Sequence, residues 1–286
     1  MQQAILTWAA GAGRDLPWRR TRDPWAVLVS ELMLQQTQVV RVVPRYRAFM
    51  KRFPTPLSCA AAPRADVIRA WHGLGYNRRA VNLHRAARLI VDDHRGRVPD
   101  DLDALRALPG VGQYTARAVL AFAFTRPVGV VEVNSARVLA RAFAGHPLSP
   151  RGAQRLADSL VPARRAWEWN QAMLDLGATV CTKRQPDCGA CPVERRCAWA
   201  RRARSLPDPA DGTAGAGGRQ STFAGSDRQG RGRLVSALRE GAVPMADAAT
   251  IAGWPGDTER VAIVLDSLIH DGLVTVVGGS IVLAPG

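Results

Sequence analysis

Residues Leu105–Arg141 read LRALPGVGQYTARAVLAFAFTRPVGVVEVNSARVLAR, and this stretch decides the fold. Leu102, Leu105 and Leu108 mark the apolar side of one short helix, and Tyr114, Ala118, Val119 and Phe122 that of the next. Between them lies a tight Pro109-Gly110-Val111-Gly112 turn. Glycines there let backbone N–H groups approach an anion, and the following helix N-terminus adds a favourable dipole. The pattern predicts a helix-hairpin-helix unit over residues 101–124 that clamps a nucleic-acid phosphate through Gly110, Val111 and Gly112. A monovalent cation suits the same turn. The apolar run Val128–Val131 then delivers a lone carboxylate, Glu132. Asn134 or Ser135 reads as the cap of the next helix, and its N-terminal field favours an ionised Glu132.

Upstream, Asp23-Pro24 starts a helical stretch running to Arg52. Glu31 sits inside the apolar run Ala26–Leu34. Burial there should raise its pKa and leave a neutral carboxyl able to act as a general acid. The plainer readings are a solvent-facing glutamate or one paired with an arginine. A neutral Glu31 and an ionised Glu132 would suit splitting a glycosidic bond through an oxocarbenium-like state. Gln35, Gln36, Thr37 and Gln38 follow, suited to base edges or to an ordinary helix end.

The loop Gly73-Leu74-Gly75-Tyr76-Asn77 interrupts two helices. Either Leu74 and Tyr76 wedge into a base stack, with Arg78 and Arg79 near phosphates, or both tuck into the core of a plain turn. His72, His84 and His94 form no ligand pattern. Residues 1–22 read as one helix followed by LPWRR, with Trp18 in the core and Arg19 and Arg20 at DNA or on a solvated face.

Of five cysteines, Cys59 stands alone as a small core residue. Cys181, Cys188, Cys191 and Cys197 have the spacing C-x6-C-x2-C-x5-C. Four thiols in one short loop without histidine can hold zinc or an iron–sulfur cluster, and a single C-x2-C pair leans to the latter. Residues 201–222, rich in Pro, Gly, Ala and Asp, read as a linker. Beyond it, helices near Arg231–Glu240, Met245–Ala252 and Asp257–Asp271 and a hairpin of Val274–Val277 with Ile281–Leu283 suggest a winged-helix unit. Its third helix is acidic, so protein contact and DNA contact carry equal weight.

The chain has 286 residues and a formal charge of +15, nearly all of it arginine, which fits a polyanionic partner or a biased genome. No apolar run spans a membrane and no secretory signal opens the chain, so a cytoplasmic, nucleoid-associated monomer is expected.

LPWR, SELMLQQTQV, GLGY, LPGVGQYTARAV, NSARVLAR and the cysteine spacing occur together in the order of a known family. Over residues 1–200 the chain resembles the helix-hairpin-helix DNA glycosylases, specifically the MutY-type adenine glycosylases related to endonuclease III. The resemblance implies a mainly α fold of two helical lobes with a [4Fe-4S] loop, followed here by the winged-helix-like α+β unit. The expected domains are an N-terminal helix (1–22), a helical lobe (23–132), an iron–sulfur lobe (133–200), a linker (201–222) and the C-terminal unit (223–286). It also implies that Glu31 protonates adenine at N7, that Glu132 stabilises the oxocarbenium ion and that Asn134 orients the site. Gln36 and Tyr76 match residues beside the opposite base. Tyr114 stands where bifunctional relatives carry a Schiff-base lysine, and no lysine lies between Lys51 and Lys183. The implied enzyme is monofunctional, flipping out and hydrolysing adenine opposite 8-oxoguanine or guanine in double-stranded DNA.

Three departures stand out. The family carries Asp at Glu132, a methylene shorter. Many members end in a domain resembling a nucleotide-pyrophosphohydrolase, which reads 8-oxoguanine; the tail here is shorter and patterned differently. Asn77 stands where a second aromatic is common. Two alternatives follow: a thymine or uracil mismatch glycosylase of the same fold, or a DNA-binding iron–sulfur protein with a weakened site.

Overall fold

The computed structural model describes residues 1–204, 207–213 and 222–285. In chain order its helices are α1 (Gln2–Ala12), α2 (Pro24–Leu34), α3 (Val39–Arg52), α4 (Pro56–Ala60), α5 (Arg64–Ala70), α6 (Arg78–His94), α7 (Leu102–Ala107), α8 (Gln113–Phe122), α9 (Val133–Val138), α10 (Pro150–Leu160), α11 (Ala166–Asp175), α12 (Asp227–Glu240), α13 (Ala248–Ala252) and α14 (Thr258–His270). Three short strands, β1 (Val243–Pro244), β2 (Val274–Val277) and β3 (Ser280–Leu283), lie in the C-terminal part. Among the described residues, no helix is long and apolar enough to cross a membrane.

Two compact units divide the chain. One comprises residues 1–27, 100–102 and 112–219; the other comprises 28–99, 103–111 and 220–286. One division falls inside the hairpin, between Val111 and Gly112, and the C-terminal residues group with the unit that holds α3 to α6.

In the first unit, Ile5 and Leu6 of α1 pack with Trp169, Ala172 and Met173 of α11 and with Val138 and Leu139. The polar lock on this packing is Asp175, 1% exposed, which accepts from Arg14 Nε at 2.6 Å and from Arg19 at 2.7 and 2.8 Å. Arg19 was a candidate for DNA contact; it is instead spent on this pair, with Trp18 buried beside it in the sequence. α9 and α11 both run on as π-helical turns, Leu139–Ala144 and Leu176–Val180. The cysteine loop closes on the first: Trp199 N–H donates to Arg141 O at 2.9 Å and Ala198 N–H to Ala142 O at 3.1 Å.

The expected linker is anchored where it is described. Asp208 pairs with the buried Arg141, and the Thr213 hydroxyl accepts from Leu148 N–H at 3.1 Å. The rest of that segment, 205–206 and 214–221, lies outside the described residues.

In the second unit, α3 to α6 enclose Phe49, Ile68, Trp71, Leu83 and Ile90. α12, α13, α14 and a sheet of order β1-β3-β2 make a winged-helix-like arrangement. β2 and β3 pair antiparallel with Val274 opposite Leu283, and the two-residue β1 pairs Val243 with Ile281. A strand so short, ending in proline, leaves no alternation to read. Gly230 is required in α12: a Cβ there would lie 2.0 Å from the Trp254 ring.

This C-terminal part is bonded to the helices before it. Arg239 donates to Ile68 O at 3.2 Å and to Asn77 Oδ1 at 2.8 Å. Arg64 N–H donates to Pro285 O at 2.9 Å, and its guanidinium to Gly272 O at 3.2 Å. Asn77, the departure from an aromatic, is thus the acceptor that fastens the C-terminal helices to the Gly73–Asn77 loop.

Candidate active site and nucleic-acid interface

Glu132 is itself the N-cap of α9, a place the sequence pattern offered to Asn134 or Ser135. Its Oε1 accepts the backbone N–H groups of Asn134 at 2.8 Å and Ser135 at 3.0 Å, while Ser135 Oγ accepts the N–H of Glu132 at 2.9 Å. This reciprocal capping box needs a short acceptor at the third position, which Ser135 supplies. Asn134 Nδ2 donates to Glu132 Oε2 at 3.1 Å. Burial pushes the Glu132 pKa above its ordinary value, and the bonds from Asn134 and Ser135, with Arg137 and Arg14, offset this only partly. The expected helix field is present, but desolvation outweighs it.

Arg137, 7% exposed, carries the network onward. It donates to Asn134 Oδ1 at 2.7 Å, to Gly177 O at 2.6 Å and, through Nε, to Cys181 O at 2.6 Å. Gly177 admits this approach because it has no side chain; a Cβ would sit 2.4 Å from Asn134 O. One turn on, Arg141 is 1% exposed and donates to Thr182 O at 2.7 Å and Lys183 O at 3.0 Å, with its guanidinium 4.8 Å from the centre of the Trp199 ring. So the two arginines of NSARVLAR grip the start of the cysteine loop, a role missed in the sequence. The clue was available: two cations four residues apart on an otherwise apolar helix.

Cys181, Cys188, Cys191 and Cys197 all line one small cavity of about 30 Å³ beside Val138, Leu176 and Val193. Burial pushes the Cys191 thiol up to about 11, with Cys181, Cys197 and Cys188 adding to the rise. Among the described residues, no three His, Cys, Asp or Glu side chains converge as they would around a single ion. Cys59 lies elsewhere, fully buried, its thiol pushed up to about 12.

In the second unit the key residue is Arg79, which the sequence placed near phosphates. It is buried and binds protein carbonyls. One terminal nitrogen donates to Leu32 O, Met33 O and Gln35 O at 2.8, 2.9 and 2.6 Å. The other reaches Thr37 Oγ1 at 2.9 Å and Leu74 O and Gly75 O at 3.2 Å. Burial lowers its pKa to about 10, still charged at neutral pH. It terminates α2 and ties the Gln35–Gln38 segment to the Gly73–Asn77 loop.

Leu74 is 3% exposed, so it belongs to the core and cannot wedge into DNA as one expectation had it; its carbonyl faces Arg79 and Thr37. Tyr76 is 42% exposed. Tyr76 and Gln36 both have left-handed backbones, φ 44° and 55°, a conformation costing a side chain of their kind on the order of 1–3 kcal/mol. They line one cavity of about 790 Å³ with Gln35, Thr37, Arg78 and Asn77. Arg78 is largely exposed and lies 3.4 Å from Asp271.

At the hairpin, Gly110 has φ 81°, and its carbonyl accepts from Gln35 Nε2 at 3.2 Å. Val111 N–H already donates to Leu108 O at 3.1 Å and its side chain is buried, so the anion contact expected of Val111 is withdrawn. Gly112 caps α8 and is exposed. Tyr114 follows in the first turn, half-buried, in the same unit as Glu132 and Asn134. Glu31, 5% exposed between Leu28 and Leu32, is in the other unit.

Residues 29–163 match the family described as HhH-GPD superfamily base excision DNA repair protein. An adenine DNA glycosylase from Mycobacterium tuberculosis is 45% identical over 277 residues, covering 95% of this chain and 89% of the relative. The chain belongs to the adenine DNA glycosylase family. A second member, from Mycolicibacterium smegmatis, is 45% identical over 274 residues, with 94% and 91% covered. A solved structure of a thermostable thymine-DNA glycosylase superposes with a TM-score of 0.65 at 31% identity, over 70% of this chain and 95% of that one. Matching nearly the whole chain, the mycobacterial adenine DNA glycosylases share a length of sequence that the thymine-DNA glycosylase does not cover. The mainly helical fold expected from the sequence agrees with both comparisons.

Proposed function

We propose that the protein is a monofunctional DNA glycosylase that extrudes adenine mispaired with 8-oxoguanine or guanine and hydrolyses its glycosidic bond, in the cytoplasm at the nucleoid. The observation that carries the reading is the match to an adenine DNA glycosylase over 95% of the chain, taken with a half-buried Glu132 hydrogen-bonded at the helix cap. In this reading Glu31 gives its proton to adenine N7, and the electron pair of the C1′–N9 bond leaves with the base. The Glu132 carboxylate faces the cationic C1′, held by Asn134. Water adds at C1′ and loses its proton, leaving an abasic site. Tyr114 takes the place where a lysine would form an imine, so no strand scission follows. Gln35, Gln36, Thr37, Tyr76 and Arg78 serve the opposite strand, and Gly110 and Gly112 the backbone, with a monovalent cation at the turn.

Four thiols lining one cavity, with no histidine in the loop and a single C-x2-C pair, suit an iron–sulfur cluster better than a lone zinc ion. A [4Fe-4S] cluster held by Cys181, Cys188, Cys191 and Cys197 would crosslink the loop that Arg137 and Arg141 grip. Loss of visible absorption and of iron in Cys191→Ser would support it; zinc alone in the purified protein would overturn it.

The deciding experiment is a single-turnover panel of duplexes with A opposite 8-oxoguanine, A opposite guanine, and T or U opposite guanine, each followed by alkali. Cleavage at adenine only in alkali is expected. Cleavage at T or U alone would favour the reading that the thymine-DNA glycosylase likeness allows. Binding without any cleavage would make the chain a DNA-binding iron–sulfur protein.

A further inference from the structure

The groove beside the Gly73–Asn77 loop has a second wall. Phe223, Arg228, Arg231, Gly232, Leu268 and Asp271, all from the C-terminal residues, line the same cavity of about 790 Å³ as Gln36 and Tyr76. The volume is in the range of small-molecule sites and exceeds what one base fills. Phe223 is 58% exposed, and the Arg228 guanidinium lies 6.0 Å from its ring. Arg231 is committed to Asp271 at 2.5 Å, which neutralises the one acid among the described lining residues. Gly232 faces open space: a Cβ there would meet no atom within 4 Å. Arg239 fixes this wall to the loop through Asn77, so its position is set by the fold rather than by a tether.

Exposed aromatics paired with arginine, around a cavity with a net positive lining, are the components of an unstacked-nucleotide site. Tyr76 supplies one aromatic and Phe223 the other. We propose that Phe223, Arg228 and the open face at Gly232 form a nucleotide subsite for the DNA strand opposite the excised base: one unstacked nucleotide of that strand lies with its base against Phe223 and its phosphate against Arg228. The inference rests on the proposed glycosylase reading and extends it to the C-terminal unit, giving that unit a role in substrate choice.

The test uses the full chain and its Phe223→Ala, Arg228→Ala and Gly232→Leu variants. Gly232→Leu projects a side chain from a position where a Cβ meets no neighbour, and leucine favours the helix more than glycine does. Kd is measured on a duplex with a non-cleavable adenine analogue opposite guanine, and on the same duplex with an abasic analogue in place of the guanine. The expected result is an affinity loss of about tenfold for Phe223→Ala and Gly232→Leu on the first duplex only. Arg228→Ala is expected to weaken the first more than the second. Equal losses on both duplexes for Phe223→Ala and Gly232→Leu, or no loss on either, would overturn the subsite. Adenine release by the wild-type chain is scored in parallel; if it is absent, the proposed activity fails while the binding comparison still reads the subsite.

Discussion

Asn134 holds both oxygens of Glu132, one through its backbone N–H at 2.8 Å and the other through its side-chain amide at 3.1 Å. Asn134 therefore spans the carboxylate, and the Ser135 N–H adds a second bond to Oε1 at 3.0 Å. Asn134 is in turn held by Arg137. The Glu132 side chain, a methylene longer than aspartate, is folded back into the helix cap.

The pH profile should show this. Burial raises the Glu132 pKa above 4.5. Base release needs the ionised form, so its rate should fall on the acid side at a pH above the ordinary carboxylate range. For stability the sign is opposite: the contribution of Glu132 is fully present below its unfolded pKa and is lost as pH rises through the folded value. Single-turnover rates and denaturation midpoints across pH 4–8 check both signs.

Replacing Glu132 separates its two duties. Glu132→Gln keeps the length but loses the charge, and adenine release should drop by at least about a hundredfold. Glu132→Asp keeps an excellent cap. It should stay within about 1 kcal/mol of wild-type stability and retain measurable release. An Asp variant that cuts while wild type does not would mean the natural chain is a binder.

Arg137→Met tests positioning. Its removal leaves Asn134 Oδ1, Gly177 O and Cys181 O without their donor. The single-turnover rate should fall at least tenfold with duplex Kd nearly unchanged, by analogy with other sub-ångström misplacements. Because Arg137 lowers the Glu132 pKa, the acid limb should also move up. A purely structural arginine would not shift that limb.

Arg79→Ala should destabilise the second unit by about 4 kcal/mol, since a buried cation and its bonds to six backbone carbonyls and one hydroxyl are lost together. Urea denaturation reads the loss. The milder Arg79→Lys should fold and show weaker discrimination among bases opposite adenine, because an ammonium cannot span both segments.

Asp175→Asn leaves Arg14 and Arg19 without their acid and should cost about 3 kcal/mol. Burial alone would raise the Asp175 pKa, but its bonds to Arg19 and Arg14 take it below 3.8. Its contribution is present above the unfolded value and is lost as pH falls through the lowered one. The variant should thus lose the acid-side decline in stability that wild type shows, measured by thermal melts at descending pH.

Much of this was legible in the residues. The Pro109–Gly112 turn, the apolar spacing of α8 and the clustered cysteines each carry a local physical signal, and the structure has these elements where the spacing puts them. The side-chain partners were not legible. Leu74 and Tyr76 flank Gly75 in one short loop, yet one is core and the other exposed. Only the path of the chain around Arg79 decides which. The adjacent arginines Arg78 and Arg79 look alike in sequence, and one faces outward while the other ties two segments together. Asn77 reads as a lost aromatic until Arg239, 162 residues away, is seen bound to it. Capping by Glu132 was hidden because glutamate is a less usual cap than the asparagine and serine beside it.

The guanidinium of Arg79 has one more effect, on timing. Gln36 and Tyr76 are held in costly left-handed shapes by bonds that exist before DNA arrives. The entropy of ordering this face is met once, during folding, and not at each base pair inspected. On the proposed reading, a surface prepared in that way rejects an ordinary pair within a brief encounter, so that the search for a mispair would owe its speed to a single buried arginine.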